Sequence, residues 1–444
     1  MRTMESHNIF AIQVGNYFHH TPASCYLVYA PLNNKFFLAL PQEVQSLREQ
    51  LASGNPGQIL QSLLKADPID KEEEVSTDTF CTLHLLLNEK CNFHCKYCYS
   101  ASGRSKAELD ISTIETMLRF FLSHERNAPK TRTVMFMGGG EPVLSWDLLK
   151  ESTLLAEKIA EEQKVKALFS LTTNGSIMSP EMMDFLKLHK FTVQISFEVL
   201  PDVQISQRGP YDAVAQNVRH LSELGIDHYV RSTITALNVD RISEMVEHCH
   251  REFPLVKKLS CQQVVDTEYF TNTDVVDDFF NRYYHSFKEA QKLAERYGIT
   301  LRSSSSHLLN YSHRERFCYN LVCLTPYGTL TTCPDVSSPL ETYYPDAIFA
   351  KMDKDKIVFD QQAFARLSTG SIHTYEKCRE CFARWNCGSG CPSSRRVYSE
   401  KIFDAICNYY RRMLATSLIE ELANKYKAST GADLYAEIEK KLAR

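Results

Sequence analysis

Cys91-Asn-Phe-His-Cys95-Lys-Tyr-Cys98 decides how the rest of the chain is read. Three cysteines at C-x3-C-x2-C follow on Thr82 to Leu87, an apolar run that predicts a buried strand. Three thiolates in one tight loop can hold three corners of a [4Fe–4S] cube. The fourth iron is then left without a protein ligand, open to a chelating cofactor. A closed zinc site needs four ligands in two paired halves, and no fourth cysteine lies near. His94 is the alternative fourth ligand, but its place inside the loop, between two ligands, makes poor tetrahedral geometry. The spacing favours the cluster and leaves zinc open.

Further along, Val134-Met-Phe-Met137 predicts a second strand that runs into Gly138-Gly-Gly-Glu-Pro142. Alone, this glycine run reads simply as a turn. Together with the cysteine loop and with Tyr97 before its last cysteine, it resembles the radical S-adenosylmethionine (radical SAM) superfamily. The resemblance implies that the amine and carboxylate of SAM chelate the open iron. It implies that Tyr97 packs near the adenine, that Gly139 and Gly140 offer backbone to the methionine amine, and that Glu141 accepts from that amine. The physics agrees, because glycine permits close backbone approach and a carboxylate suits an ammonium.

The 444 residues are 43% hydrophobic and 23% charged, ordinary for a chain of two or three domains. A net charge of −4 without a long basic run gives no reason to expect nucleic acid or a membrane surface as partner. No apolar stretch approaches the ~20 residues of a membrane span, and no charged-then-apolar leader follows Met1, so a cytoplasmic, unprocessed chain is expected. Fifteen cysteines are then anomalous. Without a secretion signal they point to metal or redox chemistry rather than structural disulfides, and their odd number argues against complete pairing.

Residues 1–78 form a small α+β module. Phe10 to Val14 and Cys25 to Ala30 read as strands, Pro31 to Lys35 as a turn, and Phe36 to Leu40 as the return strand of a hairpin. Pro41 to Leu51 and Gly57 to Leu64 read as helices, and acidic Asp70 to Glu74 as an exposed linker. A hairpin followed by small helices is the plan of the winged-helix-like modules that bind leader peptides in radical SAM peptide maturases. A structural cap on the barrel fits the same pattern.

Residues 79–305 alternate strand and helix, the mark of a parallel β/α architecture. Strands are expected at Thr82 to Leu87, Val134 to Met137, Ala167 to Thr172, Thr192 to Phe197, His228 to Thr235 and Leu259 to Val265. This matches the partial (β/α)6, TIM-like barrel of the radical SAM family. In parallel barrels chemistry gathers at the carboxyl ends of strands, where the cysteine loop, Glu141, Asn174, Ser196 and Arg231 fall. By the resemblance, Asn174, Ser196 and Arg231 join the cofactor site, with Ser196 and Arg231 on the carboxylate and ribose of SAM. One departure stands out: where relatives read Ser-Leu-Asp-Gly, this chain has Ser196-Phe-Glu-Val199. Glu198 keeps an acid, but Val199 is not expected to take the positive φ a glycine allows, so the loop should differ here.

After a helix expected at Asp274 to Tyr297, residues 306–410 turn cysteine-rich. Cys318-x9-Gly328-x4-Cys333, then Cys378-x2-Cys381-x5-Cys387-x3-Cys391 and finally Cys407 follow the order of the SPASM domain of peptide- and protein-modifying radical SAM enzymes. With Cys323 added, these cysteines suffice for two fully ligated [4Fe–4S] clusters. The resemblance assigns Cys318, Cys323, Cys333 and Cys391 to the first, and Cys378, Cys381, Cys387 and Cys407 to the second. Such an interleaved, metal-stapled unit would need little core of its own. A zinc ribbon fits Cys378, Cys381, Cys387 and Cys391 but leaves the others unused. Cys25, Cys81, Cys249 and Cys261 read as core residues. In residues 411–444, Met413 to Leu442 reads as terminal helices with a solvated face.

The implied enzyme is a radical SAM oxidoreductase with SAM and three [4Fe–4S] clusters, reduced by a flavodoxin- or ferredoxin-type donor. Two substrate classes compete. One is a ribosomally made precursor peptide that gains a thioether, a carbon–carbon crosslink or an epimerised residue. The other is a sulfatase oxidised to formylglycine, as by the anaerobic maturases. Those maturases begin their cysteine loop near the N-terminus, whereas some ninety residues precede it here. They also carry an Asp, proposed as a base, directly after the Gly-x4-Cys cysteine. Here that place holds Pro334, with Asp335 one further. Both departures favour peptide maturation, with Asp335 and Glu198 as the candidate acid/base residues.

Overall fold

Strand Tyr26–Ala30 feeds two different cores, because successive side chains of a strand point to opposite faces. Val28 and Ala30 join Ile9, Ala39, Val44, Leu47 and Leu60, sealing the module under its helices Pro41–Ser53 and Gln58–Leu63. Leu27 and Tyr29 point the other way, with Phe10, Ile12 and Val14, onto Phe382, Ala383, Leu414, Leu418 and Ile419 of the C-terminal region. The first sheet is thus β1 (Phe10–Gln13), β2 (Tyr26–Ala30) and β3 (Lys35–Ala39), antiparallel throughout, with Tyr29 opposite Phe36. These elements come from a computed structural model that describes residues 4–16, 25–64, 75–303, 305, 308, 313–318 and 320–442. The linker reading of Asp70 to Glu74 lies outside the described residues.

The larger sheet has six parallel strands in chain order, β4 (Thr82–Leu85), β5 (Thr131–Phe136), β6 (Lys166–Thr173), β7 (Thr192–Ser196), β8 (His228–Ile234) and β9 (Lys258–Gln263). Helices cross between them, as parallel neighbours require. Several are fixed by caps the sequence supplies. Asp110 accepts from Thr113 N–H at the start of Ile111–Leu122, and Ser179, followed by Pro180, accepts from Met182 N–H. A short strand, β10 (Thr300–Arg302), extends the sheet past β9.

Beyond β4 the sheet continues into the cysteine-rich region. β11 (Leu321–Leu324) runs parallel to β4, and β12 (Thr329–Thr331), β13 (Ile348–Asp353) and β14 (Lys356–Phe359) follow antiparallel. Leu324, Leu330, Phe349, Phe364, Tyr398 and Phe403 belong to the same hydrophobic core as the barrel. The expectation of a unit with little core therefore gives way. A strand laid parallel on β4 buries both faces, and hydrophobic burial, not metal alone, holds the region.

Helix Glu400–Thr430 corrects the reading of a solvated terminus. Met413, Leu414, Ala415, Leu418 and Ile419 are buried between the N-terminal sheet and helix Thr273–Arg296, to which Lys288 adds an ion pair with Glu420 at 2.6 Å. A helix wedged between two layers carries apolar residues on two sides, so no single amphipathic stripe announces it. Cys25, Cys249 and Cys261 are buried and Cys81 half-buried. Among the described residues, no helix is long and apolar enough to cross a membrane.

Val199 overturns the expectation at the end of β7. It takes φ +66°, the glycine conformation, and its side chain is buried. Leu200 N–H donates to Glu198 C=O at 2.7 Å, closing a three-residue γ-turn around it. The turn is pinned from both sides: Glu198 N–H donates to Gln204 Oε1 at 3.0 Å, and the Glu198 carboxylate accepts from Ser232 Oγ at 2.5 Å and Thr233 N–H at 3.1 Å. Tertiary bonds impose what local preference resists. Both Val199→Gly and Val199→Ala lose the buried isopropyl group, but only glycine is relieved of the positive-φ cost. The Gly variant should therefore be the more stable by about 1 kcal/mol, reversing the usual order. Denaturation midpoints of the two variants test this, and an Ala variant at least as stable as Gly would mean the turn relaxes.

Candidate active site

The segment between β4 and the cysteine loop is gripped by the glycine run at the end of β5. Gly140 N–H donates to Asn88 C=O at 2.7 Å and Glu141 N–H to Lys90 C=O at 2.6 Å. Asn88 returns bonds through Nδ2 to Ser145 Oγ at 2.7 Å and to Glu141 C=O at 3.2 Å. A Cβ on Gly140 would lie 2.0 Å from Lys90 O, so only glycine permits this approach. These two N–H groups serve the fold.

The loop is tied on its other sides too. Asn92 Oδ1 accepts from Asn174 Nδ2 at 2.8 Å, and Lys96 N–H donates to Gln207 C=O at 2.9 Å. The thiols of Cys91, Cys95 and Cys98 lie within electrostatic reach of one another. Arg104 donates from one nitrogen to Cys98 Sγ at 3.1 Å and from another to Gly139 C=O at 2.6 Å.

Around this loop opens a cavity of about 520 Å³, within the usual range of small-molecule sites. Cys91, Cys95, Cys98, Tyr97, Gly139, Gly140, Glu141, Asn174, Ser196, Arg231 and Asp335 all line it. Ser196 and Arg231 are register partners on β7 and β8. Among the described residues, the Arg231 guanidinium makes no hydrogen bond or ion pair, although it feels the charge of Asp335. Glu141 is only 3% exposed. Its carboxylate accepts from Thr173 Oγ1 at 2.7 Å, Asn174 N–H at 2.7 Å and Val143 N–H at 3.3 Å. Burial pushes this carboxyl above the usual range, against the pull of those donors.

Glu198, wholly buried, is absent from the lining and meets the cavity through Tyr97, Arg208 and Thr233, which line it. The Tyr97 hydroxyl donates to the Glu198 carboxylate and accepts from Arg208 at 2.8 Å, while Arg208 pairs with Glu198 at 3.7 Å. Burial pushes the Glu198 carboxyl up, with Arg208 opposing it. This network locks the Tyr97 ring in place and joins the cysteine loop to the ends of β7 and β8.

The cysteine-rich region closes the far wall. Asp335 and Ser393 line the cavity just after Cys333 and Cys391. Cys318, Cys323, Cys333 and Cys391 lie in electrostatic reach of one another, and Cys378, Cys381, Cys387 and Cys407 form a second such set. No cysteine of either set lines the cavity. Among the described residues, no three His, Cys, Asp or Glu side chains are gathered as a single-ion site.

Arg104, Arg208, Thr173 and Glu341 also belong to the site and went unread in the sequence. Arg208 ends a short helix, Pro201–Gln207, and Arg104 sits in a turn. Their partners come from other strands and loops, so no local spacing marks them.

Residues 85–251 match the model of the Radical SAM superfamily. A curated relative, the radical SAM cyclopropyl synthase TigE of Paramaledivibacter caminithermalis, is 25% identical over 132 residues. The match covers 26% of this chain and 26% of that protein, about a quarter of its length. The cysteine-type anaerobic sulfatase-maturating enzyme of Clostridium novyi is 20% identical over 343 residues, 69% of this chain and 86% of the relative. Among solved structures, native anSMEcpe with bound AdoMet shares the fold with a TM-score of 0.59 at 16% identity, over 77% of this chain and 99% of that one. Over residues 85–251 this chain is similar to the radical SAM superfamily.

Proposed function

We propose that the protein is a radical SAM enzyme that modifies a residue of a ribosomally made precursor peptide. The observation that carries the reading is the convergence of three thiols on a cavity walled by barrel strand ends on one side and by Asp335 and Ser393 on the other. Cys91, Cys95 and Cys98 would hold the SAM-binding [4Fe–4S] cluster, and the two sets of four cysteines would hold auxiliary clusters. With SAM bound, this cluster supplies one-electron cleavage to methionine and a 5′-deoxyadenosyl radical that abstracts hydrogen from an unactivated carbon.

The chain's own groups bind and orient. Glu141 presents a buried carboxylate, and an ammonium beside it would favour the ionised form. Arg231, with its free fork of donors, suits the carboxylate of SAM, and Ser196 stands beside it in register. Tyr97, fixed by Glu198 and Arg208, offers a rigid aromatic wall for the adenine. The edge strand β3 is where a leader segment would add by main-chain pairing. An outside donor of the flavodoxin or ferredoxin type would supply electrons.

A second reading, formylglycine formation on a sulfatase, draws support from Asp335. Although Pro334 displaces it by one place, its side chain still lines the cavity and feels Arg231 and Arg396. One assay separates the two. Reconstituted protein with SAM and a strong reductant is given either a short peptide from any open reading frame found beside its gene or a sulfatase-derived Cys peptide. Loss of hydrogens, or solvent-hydrogen incorporation, in the first peptide is expected. Thiol-to-aldehyde conversion in the second alone favours the sulfatase reading, and no 5′-deoxyadenosine under any condition overturns both.

A further inference from the structure

Arg104 touches the cysteine loop and the glycine run at once, and nothing in the cofactor-binding pattern asks for it. Its two bonds, to Cys98 Sγ at 3.1 Å and to Gly139 C=O at 2.6 Å, span the two halves of the site. It also feels the charge of Cys91. The residue before it has no room for a side chain: a Cβ on Gly103 would lie 2.8 Å from both Glu341 Oε1 and Ser338 Cβ. These belong to the turn that follows Cys333, where the Glu341 carboxylate accepts from Ser337 N–H at 2.7 Å and Ser338 N–H at 3.1 Å. The C-terminal extension therefore seats the turn that aims Arg104. The buried carboxyls of Glu89 and Glu341 also lie within electrostatic reach of the guanidinium.

We infer that Arg104 is a positioning residue that hydrogen-bonds the Cys98 thiolate, locks it to the glycine run and raises the reduction potential of a cluster held by Cys91, Cys95 and Cys98. Reduction adds one negative charge to the cluster, and a guanidinium donating to a ligand sulfur stabilises that extra charge. Hydrogen bonds to ligand sulfurs are among the factors that set cluster potentials. Because the same side chain holds Gly139, the C-terminal extension reaches the SAM-binding cluster through one arginine. The inference rests on the cluster reading above.

The test uses the fully reconstituted full-length protein, titrated anaerobically while following the electron paramagnetic resonance signal that changes on SAM addition. That signal belongs to the cluster with the open iron and separates it from auxiliary ones. In Arg104→Gln, with iron content unchanged, the reduced-to-oxidised ratio at a fixed potential should fall about tenfold, equivalent to 59 mV for one electron. Arg104→Lys should recover most of that shift, because charge returns. If Arg104→Gln loses the cluster, Arg104→Lys decides: restored iron and a near-native potential support the charge role, and lost iron shows a merely structural one. An unchanged potential in an iron-replete Arg104→Gln protein overturns the inference. A wild-type protein that assembles no SAM-sensitive cluster overturns the cluster reading instead.

Discussion

Replacing Cys91, Cys95 and Cys98 together by Ala should remove about four of about twelve irons per chain and all SAM cleavage. The wild-type total follows from the proposal that each of the three sets of thiols holds a four-iron cluster. The loss should be confined to one cluster, because the other two sets lie on separate segments that share no ligand with the loop. Substitution should also spare the fold: the loop is held by Asn92, Lys96 and the Asn88 to Lys90 segment, and Phe93 anchors it in the core. Anaerobic reconstitution with iron and sulfide counting, beside an assay for 5′-deoxyadenosine, checks both parts. A wild-type protein with stoichiometric zinc and no labile sulfide would sink the assignment, and a triple variant with undiminished iron would move the cluster elsewhere.

What the sequence made legible was whatever is encoded locally. Ligand spacing in the cysteine loop, the period of β5 to β9, and the Asp110 and Ser179 caps all lie within a few residues of what they specify. Each barrel strand foreseen is present, its ends within three residues of the expected ones. What stayed hidden is long-range. β11 and β12 are four and three residues long, too short for a period to show, and exist because β4 offers an edge. Val199 was misjudged because φ preference is local, whereas Ser232, Thr233 and Gln204, which hold its turn, come from elsewhere. The helix Pro201–Gln207 escaped for a related reason, and with it Arg208, whose worth depends on Tyr97 some hundred residues earlier. A buried arginine paired with a buried carboxylate is a tertiary fact.

The position of the N-terminal module makes its removal the other severe perturbation. The cap alternative had it on the barrel. In the structure it packs on the C-terminal region instead, around residues that lead to Cys387. Asn8 Oδ1 accepts from Trp385 Nε1 at 2.6 Å and from Arg384, and Tyr29 donates to Asn386 Oδ1 at 2.9 Å. Those three consecutive residues begin the helical turn Arg384–Cys387, which ends on Cys387, a proposed ligand of the second auxiliary set. Deleting residues 1–64 should therefore expose Phe382, Leu414, Leu418 and Ile419 as one apolar patch and strip the partners from this turn. The expected product is insoluble, or soluble but short of about four irons, with the SAM-sensitive cluster retained. Should the truncated chain be insoluble, Asn8→Ala carries the same question in a milder form. It leaves the buried Trp385 N–H and two of the three Arg384 nitrogens without their acceptor, at a cost of about 1–3 kcal/mol. It should lower the melting temperature and speed loss of the second auxiliary cluster to a chelator, without moving the SAM-sensitive signal. A module that serves only to recognise a leader would behave otherwise: truncation would leave iron content and stability intact and weaken processing of the full precursor alone. Iron content separates the two, because the grip on residues 384–386 is a matter of folding and precedes any encounter with a peptide.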